Sequence, residues 1–279
     1  MASILYGLFS ALAWGAGDYT GGIASRRTGA WKVAFLSEVA GILPLVIAQA
    51  FLRESIPVWS TWLWCSIAGA IGATGLLIFY RSLAESKMSV AAPVSAVTSA
   101  IIPVAAGSML DGFPPALRFA GFIMALAAIW LISRDGQGQS KPSVHLLGLF
   151  PPLIAGICFG LYFILIHQGS RTAIIWPLII ARSAGALTLF IFILVRRQLH
   201  VVKAQILPIV FLIAFLDITG NTFYILSSQA GRMDTAAVLG SLCPGVTALM
   251  ALIFLHEKLN RSQVIGLLAA LAAIALMAF

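Results

Sequence analysis

The chain has 279 residues, of which 61% are hydrophobic and only 9% charged, with a formal net charge of +8. A soluble domain carries roughly 25% charged residues, so this composition excludes a soluble fold and predicts a polytopic membrane protein. The basic residues gather at the ends of apolar runs, where they mark topology and meet anionic lipid; nucleic acid is not an expected partner.

A transmembrane helix needs about 20 mainly apolar residues. Runs of that kind predict ten spans, at about 3–24, 33–52, 60–80, 88–110, 116–133, 146–167, 173–195, 206–229, 235–255 and 262–279. Their nearly continuous apolar character argues for helices, because a membrane strand alternates over about ten residues. Span 1 lacks a basic leader and a cleavage site, so it reads as a mature helix. It carries "WGAGDYTGG" (14–22), with Asp18 on one helical face with Gly7, Ala11, Gly15 and Gly22. Small residues mark close helix packing or cavity walls in a bilayer, so Asp18 is expected to face protein or water. In span 2, Glu38 lies about 9 Å beyond Lys32, at a depth similar to that of Asp18. Span 3 ends in "FYRSL", where Tyr80 matches the place of "FYILS" (223–227) and is expected on the same wall. Arg81, Glu85 and Lys87 are expected to follow the span as a solvated turn. Pro93 and Pro103 are expected to interrupt span 4, since proline removes a backbone hydrogen bond.

"SRDGQGQSKPS" (133–143) has no apolar residue and reads as a linker. It separates an expected first repeat, 1–133, from a second, 146–279, with 134–145 between them. His167, near the end of span 6, reads as an interface residue. Arg182 in span 7 cannot lose its proton and needs a buried counter-anion, for which Asp217 and Glu38 are the candidates. Span 8 carries a polar stripe, Ala214, Asp217, Asn221, Tyr224 and Ser228, on one face. Pro244 is expected to interrupt span 9. Cys65, Cys158 and Cys243 all lie in apolar spans and match neither a disulfide framework nor a metal pattern. No cofactor or metal is implied.

A shift of 145 residues sets "MSVAA" (88–92) on "MDTAA" (233–237) and "GFIMALAAI" (121–129) on "GLLAALAAI" (266–274). It also sets "WG" (14–15) on "FG" (159–160) and Gly75 on Gly220. Each copy holds five spans, an odd number, so the second must enter the bilayer from the opposite side. The expected fold is all-α: ten transmembrane helices as two inverted five-helix repeats, the design in which secondary transporters place substrate at the repeat interface. A charge at a helix centre costs roughly 2.5–3.5 kcal/mol on insertion scales. That cost is offset if Asp18, Glu38, Arg182 and Asp217 line a wet central cavity. A carboxylate there is an expected place for proton exchange, making a proton a possible coupling partner.

"GAGD" (15–18) and "PAL" (115–117) match two elements of intramembrane aspartyl proteases, but Leu216 precedes Asp217 where a tyrosine is needed, and "PAL" opens a helix instead of packing beside the pair. No GxSxG, HExxH or phosphate loop occurs, so an enzyme is not expected.

The ten short-looped spans, "WG" (14–15), "SVAAPVSAVTSAIIP" (89–103), its repeat "DTAAVLGSLCPGVTAL" (234–249) and "LHEKLNRSQVIGLLAAL" (255–271) together resemble the drug/metabolite transporter superfamily, EamA-like branch. In the last stretch, His256, Glu257, Lys258 and Leu259 stand where such proteins have a Glu-Arg/Lys-Leu turn; "DGFPPALRFAG" (111–121) lacks the glutamate. The resemblance implies an inner-membrane, multi-pass carrier of small molecules, monomeric or homodimeric, working by alternating access. Its substrate- and coupling-site residues would be Trp14, Asp18, Glu38, Tyr80, Arg182, Asp217, Asn221 and Tyr224, with Pro93, Pro103 and Pro244 at moving elements. Amphoteric metabolites such as amino acids rank first, because Arg182 would suit a carboxylate and the acids a cation. A lipid-linked-sugar flippase subunit and a passive channel share this fold. Most Lys and Arg residues fall in odd-numbered loops, which by the positive-inside rule places both termini outside; the resemblance places them inside.

Overall fold

The computed structural model describes residues 2–86, 88–111, 116–133, 145–196, 204–256 and 261–278. They form α1 (Ala2–Thr28), α2 (Ala30–Leu52), α3 (Trp59–Glu85), α4 (Met88–Asp111), α5 (Ala116–Ser133), α6 (His145–Gly169), α7 (Ile175–Val195), α8 (Leu207–Ala230), α9 (Met233–Gly240), α10 (Cys243–Phe254) and α11 (Arg261–Ala278). A short 3-10 turn, Ala204–Ile206, precedes α8, and no strand occurs among the described residues. All of the expected linker but His145 lies outside them, as does Glu257–Leu259 of the expected turn.

Local chemistry sets the breaks. Gly29 alone separates α1 from α2 and takes a φ of 93°, which a side chain would strain. Arg53 closes α2 in the left-handed region, φ 51°, with its N–H donating to the Gln49 carbonyl at 2.8 Å. Pro208 and Pro244 stand in the first turns of α8 and α10, where a missing N–H costs no helical bond.

Span 9 is two helices. The Ser241 N–H still bonds the Ala237 carbonyl at 2.9 Å and the Leu242 N–H the Leu239 carbonyl at 3.1 Å. Pro244 has no N–H to continue the ladder, and α10 starts afresh beside it. Span 4 corrects the expectation: α4 runs unbroken through both Pro93 and Pro103. Packing against neighbouring helices lets a membrane helix carry proline without breaking, and α4 is embraced by α6, α10 and α11.

Among the described residues, six stretches are long and apolar enough to cross a membrane: 30–52, 59–85, 149–169, 175–195, 204–230 and 236–254. Ala91–Ala106 and Val264–Ala273 are shorter apolar helices. Large apolar side chains such as Leu43, Phe51, Leu187, Phe215 and Leu268 point outward, as a lipid-facing surface requires. The chain is an all-helical, multi-pass membrane protein.

The helix pairs have a pattern. α1 packs on α8, and α6 on α3; α2 packs on α8, and α7 on α3; α4 packs on α6, and α9 and α10 on α1. Exchanging α1–α5 for α6–α11 turns each pair into its counterpart. α2 with α7 and α5 with α11 map onto themselves. At the α2–α7 crossing, Arg182 donates to the carbonyl of Ser37, its own counterpart 145 residues earlier.

Candidate functional site

The crossing of α2, α7 and α8 holds the charged groups. Arg182 is 5% exposed, and its Nη1 donates to the Ser37 carbonyl at 3.2 Å and to Glu38 Oε2 at 3.4 Å. Its Nη2 donates to Asp217 Oδ2. Both carboxylates considered from the sequence therefore serve as counter-anions. Taking a guanidinium out of water is tolerated only when such partners and further hydrogen bonds compensate. Gly41, one turn after Ser37, makes room for the cation: a Cβ there would lie 2.7 Å from Arg182 Nη1.

The network continues along α8. Asn221 Nδ2 donates to the Asp217 backbone carbonyl at 2.7 Å and to Asp217 Oδ2 at 3.1 Å. The Tyr162 hydroxyl on α6 donates to Asn221 Oδ1. On α1, Asp18 is half-buried, with the Cys243 thiol of α10 in hydrogen-bonding reach.

These groups line one cavity of about 850 Å³ including its mouth. Trp14 and Asp18 enter from α1, Glu38 from α2, Arg182 from α7, and Asp217 and Asn221 from α8. Residues of α3 and α4, among them Gly69, Gly72, Leu76, Phe79, Ser95 and Ser99, also line the cavity. The break between α9 and α10 contributes Ser241, Cys243 and Pro244. There Ser241 Oγ lies 3.3 Å from Ser99 Oγ of α4, so the two proline-bearing elements touch at the cavity wall. Phe159, Tyr162 and Phe163 of α6 supply an aromatic side, with Trp14 and Phe163 ring centroids 5.4 Å apart.

Seven residues singled out from the sequence thus come together: Trp14, Asp18, Glu38, Arg182, Asp217, Asn221 and Pro244. Five others do not line the cavity. Tyr224 is fully buried behind the wall; its hydroxyl donates to the Phe163 carbonyl at 3.0 Å and its ring stacks on Phe163 at 4.8 Å. Tyr80 is 2% exposed and packs against Gly21. Pro93 and Pro103 lie buried in α4, whose Ser95 and Ser99 reach the cavity instead. His167 is half-buried on α6, outside it.

Sequence reasoning missed Tyr162, Ser95 and Cys243 as lining groups. A signal existed for Tyr162, since the 145-residue shift sets 162–163 on 17–18, beside Asp18. It also missed a clamp at one end of the bundle. The Glu54 carboxylate, in the α2–α3 connection, accepts from the backbone N–H groups of Ile174, Ile175 and Trp176 at 2.9–3.1 Å. It caps α7, where the helix dipole favours negative charge. Trp176 Nε1 returns a bond to the Glu54 carbonyl at 3.2 Å.

The sequence profile of the EamA-like transporter family matches residues 1–134 and again residues 146–279. A solved structure described as "Crystal structure of protein" superposes with a TM-score of 0.70 at 17% identity, over 99% of this chain and 95% of its own. That likeness speaks for the fold. No curated protein matches the sequence.

Proposed function

The chain belongs to the EamA-like transporter family, and on that footing we propose that it is a ten-span secondary transporter. It carries small organic metabolites or drug-like molecules across the inner membrane by alternating access. Counting α9 and α10 as one span gives two sets of five, 1–133 and 146–279, and the reciprocal packing of the two sets supports an inverted repeat. The observation that carries the reading is the cavity itself. Buried charges from both sets, Asp18 and Glu38 from the first and Arg182 and Asp217 from the second, converge on one chamber. In inverted-repeat carriers the substrate site lies at that interface, lined by discontinuous helices, and the α9–α10 break stands there.

The cavity supplies binding and no covalent chemistry: charged groups, amide, hydroxyl and aromatic faces. The side chains of Trp14, Asp18, Glu38, Arg182, Asp217 and Asn221 contact substrate or hold those that do. Pro244 marks the element that moves. Asp18 and Glu38 are the sites at which a proton exchanges when the chamber opens to water. The test is flux in proteoliposomes, with and without a pH gradient, for the native chain, Asp18→Asn and Glu38→Gln. Uptake saturating at carrier turnover, with loss of the gradient's effect in at least one variant, is expected. Coupling unchanged in both variants removes the carboxylates from the mechanism, and passive flux far above carrier turnover marks a channel.

A further inference from the structure

We propose, resting on the carrier reading above, that the cavity selects organic cations, with an ammonium head group seated at Asp18 between the aromatic wall and Ser95. The bonding of the four charged groups carries this. Arg182 is already occupied on both terminal nitrogens, by Ser37 and Glu38 on one and by Asp217 on the other. A substrate carboxylate would meet a guanidinium whose charge two carboxylates already offset. The expectation that Arg182 greets a carboxylate, and with it the first rank of amino acids, loses its main support.

Asp18 is the acid left over. Among the described residues no Lys, Arg or His lies within salt-bridge distance of it, and its near polar neighbour is the thiol of Cys243. Asp18 lines the cavity as Glu38 and Arg182 do, but it is half-buried where they are buried. Three carboxylates against one guanidinium leave the chamber formally negative, which favours a cation and opposes an anion.

A second observation stands apart from the acids. Ser95 is 2% exposed and lines the same cavity, yet among the described residues its hydroxyl has no hydrogen-bond partner. A buried hydroxyl without a partner is costly, and an ammonium N–H can donate to it. Trp14, Phe159 and Phe163 line the cavity too, and aromatic rings attract cations. An ammonium-bearing molecule in this cavity meets a carboxylate without a cationic partner and an orphaned hydroxyl on the same wall.

Three probes share an aromatic body and differ in charge: phenethylamine as cation, phenylalanine as zwitterion and 3-phenylpropionate as anion. Their affinities would be measured by calorimetry on the full chain in lipid nanodiscs. The proposal expects phenethylamine to bind at least about tenfold more tightly than phenylalanine, and phenylpropionate most weakly. Asp18→Asn should weaken phenethylamine by about 10- to 100-fold, the range for a lost hydrogen bond to a charged group, and flatten the series. Asp18→Glu, which keeps the charge, should preserve the order and guards against a folding defect. Ser95→Ala should weaken the two ammonium-bearing probes and leave phenylpropionate unchanged. Tighter binding of phenylalanine or phenylpropionate, an unchanged order in Asp18→Asn, or no binding of any probe overturns the proposal. Saturable exchange of phenylalanine across vesicles would leave the carrier reading standing while this proposal falls. The expected order of binding without movement across vesicles would do the reverse.

Discussion

Replacing Arg182 by glutamine strikes the most constrained point of the molecule. The guanidinium compensates Glu38 and Asp217, and it and Glu38 are buried, at 5% and 8% exposure. Removing one partner of a buried ion pair typically costs about 3–5 kcal/mol, because the other charge stays behind uncompensated. On the scale of soluble domains of 150–250 residues, 1 kcal/mol moves the Tm by about 2–4 °C, so the expected drop is about 6–20 °C. Thermal unfolding of the full chain in detergent reads it. The triple variant R182Q/E38Q/D217N should recover most of the loss, since neutralising the whole cluster removes the stranded charges. Arg81 and Glu85 provide the control: they form an i,i+4 pair at 2.8 Å, but their side chains are 71% and 63% exposed. Such pairs contribute about 0.3–0.5 kcal/mol, and Arg81→Ala should leave Tm within about 2 °C. A shift for Arg182→Gln no larger than that of Arg81→Ala would refute the reasoning that the triad is mutually dependent.

Glu54→Ala should remove the acceptor for three N–H groups at the start of α7, costing about 0.5–2 kcal/mol as a lost cap does; faster hydrogen exchange confined to Ile174–Trp176 is the signature, and unchanged protection there contradicts the clamp. Gly15→Ala would place a Cβ 2.5 Å from both the Cys243 carbonyl and Val246 Cβ, so α1 must shift off α10; a loss of about 1–3 kcal/mol is expected, read by unfolding, and a neutral result would mean the two helices are not in contact. Tyr224→Phe should lower stability by about 1 kcal/mol and leave ligand affinity unchanged, because its hydroxyl serves the Phe163 carbonyl behind the wall; a selective loss of affinity would return Tyr224 to the cavity. A reporter fused after Phe279 should be active outside the cytoplasm if the Lys and Arg bias governs insertion, and cytoplasmic activity would overturn that orientation.

Much of the site was legible because burying charge in a bilayer is expensive. Asp18, Glu38, Arg182 and Asp217 stand out against apolar surroundings, and each such charge demands a partner. Helical spacing then carried Asn221 along with Asp217. The same spacing misled at Tyr224, two turns further along that stripe: its ring turns to stack on Phe163 and its hydroxyl finds a carbonyl, which no pattern of side-chain types encodes. Backbone acceptors such as the Ser37 carbonyl are equally invisible in a sequence. Proline marked both α4 and span 9 as special, but only tertiary packing distinguishes a helix that continues through Pro93 and Pro103 from one that restarts at Pro244. Glu54 read as an ordinary loop acid, because its partners are N–H groups 120 residues away.

The central claim is that one water-accessible chamber between the two halves is where substrate sits, and Cys243 is a natural reporter on its wall. With Cys65 and Cys158 replaced by serine, the rate at which a small cationic thiol reagent labels Cys243 would be measured in proteoliposomes, with and without saturating phenethylamine. Labelling that the amine slows, and that an anionic reagent of equal size achieves far more slowly, is the predicted result. A thiol that stays unreactive from both faces, or one that reacts at the same rate whether or not the amine is present, would contradict it.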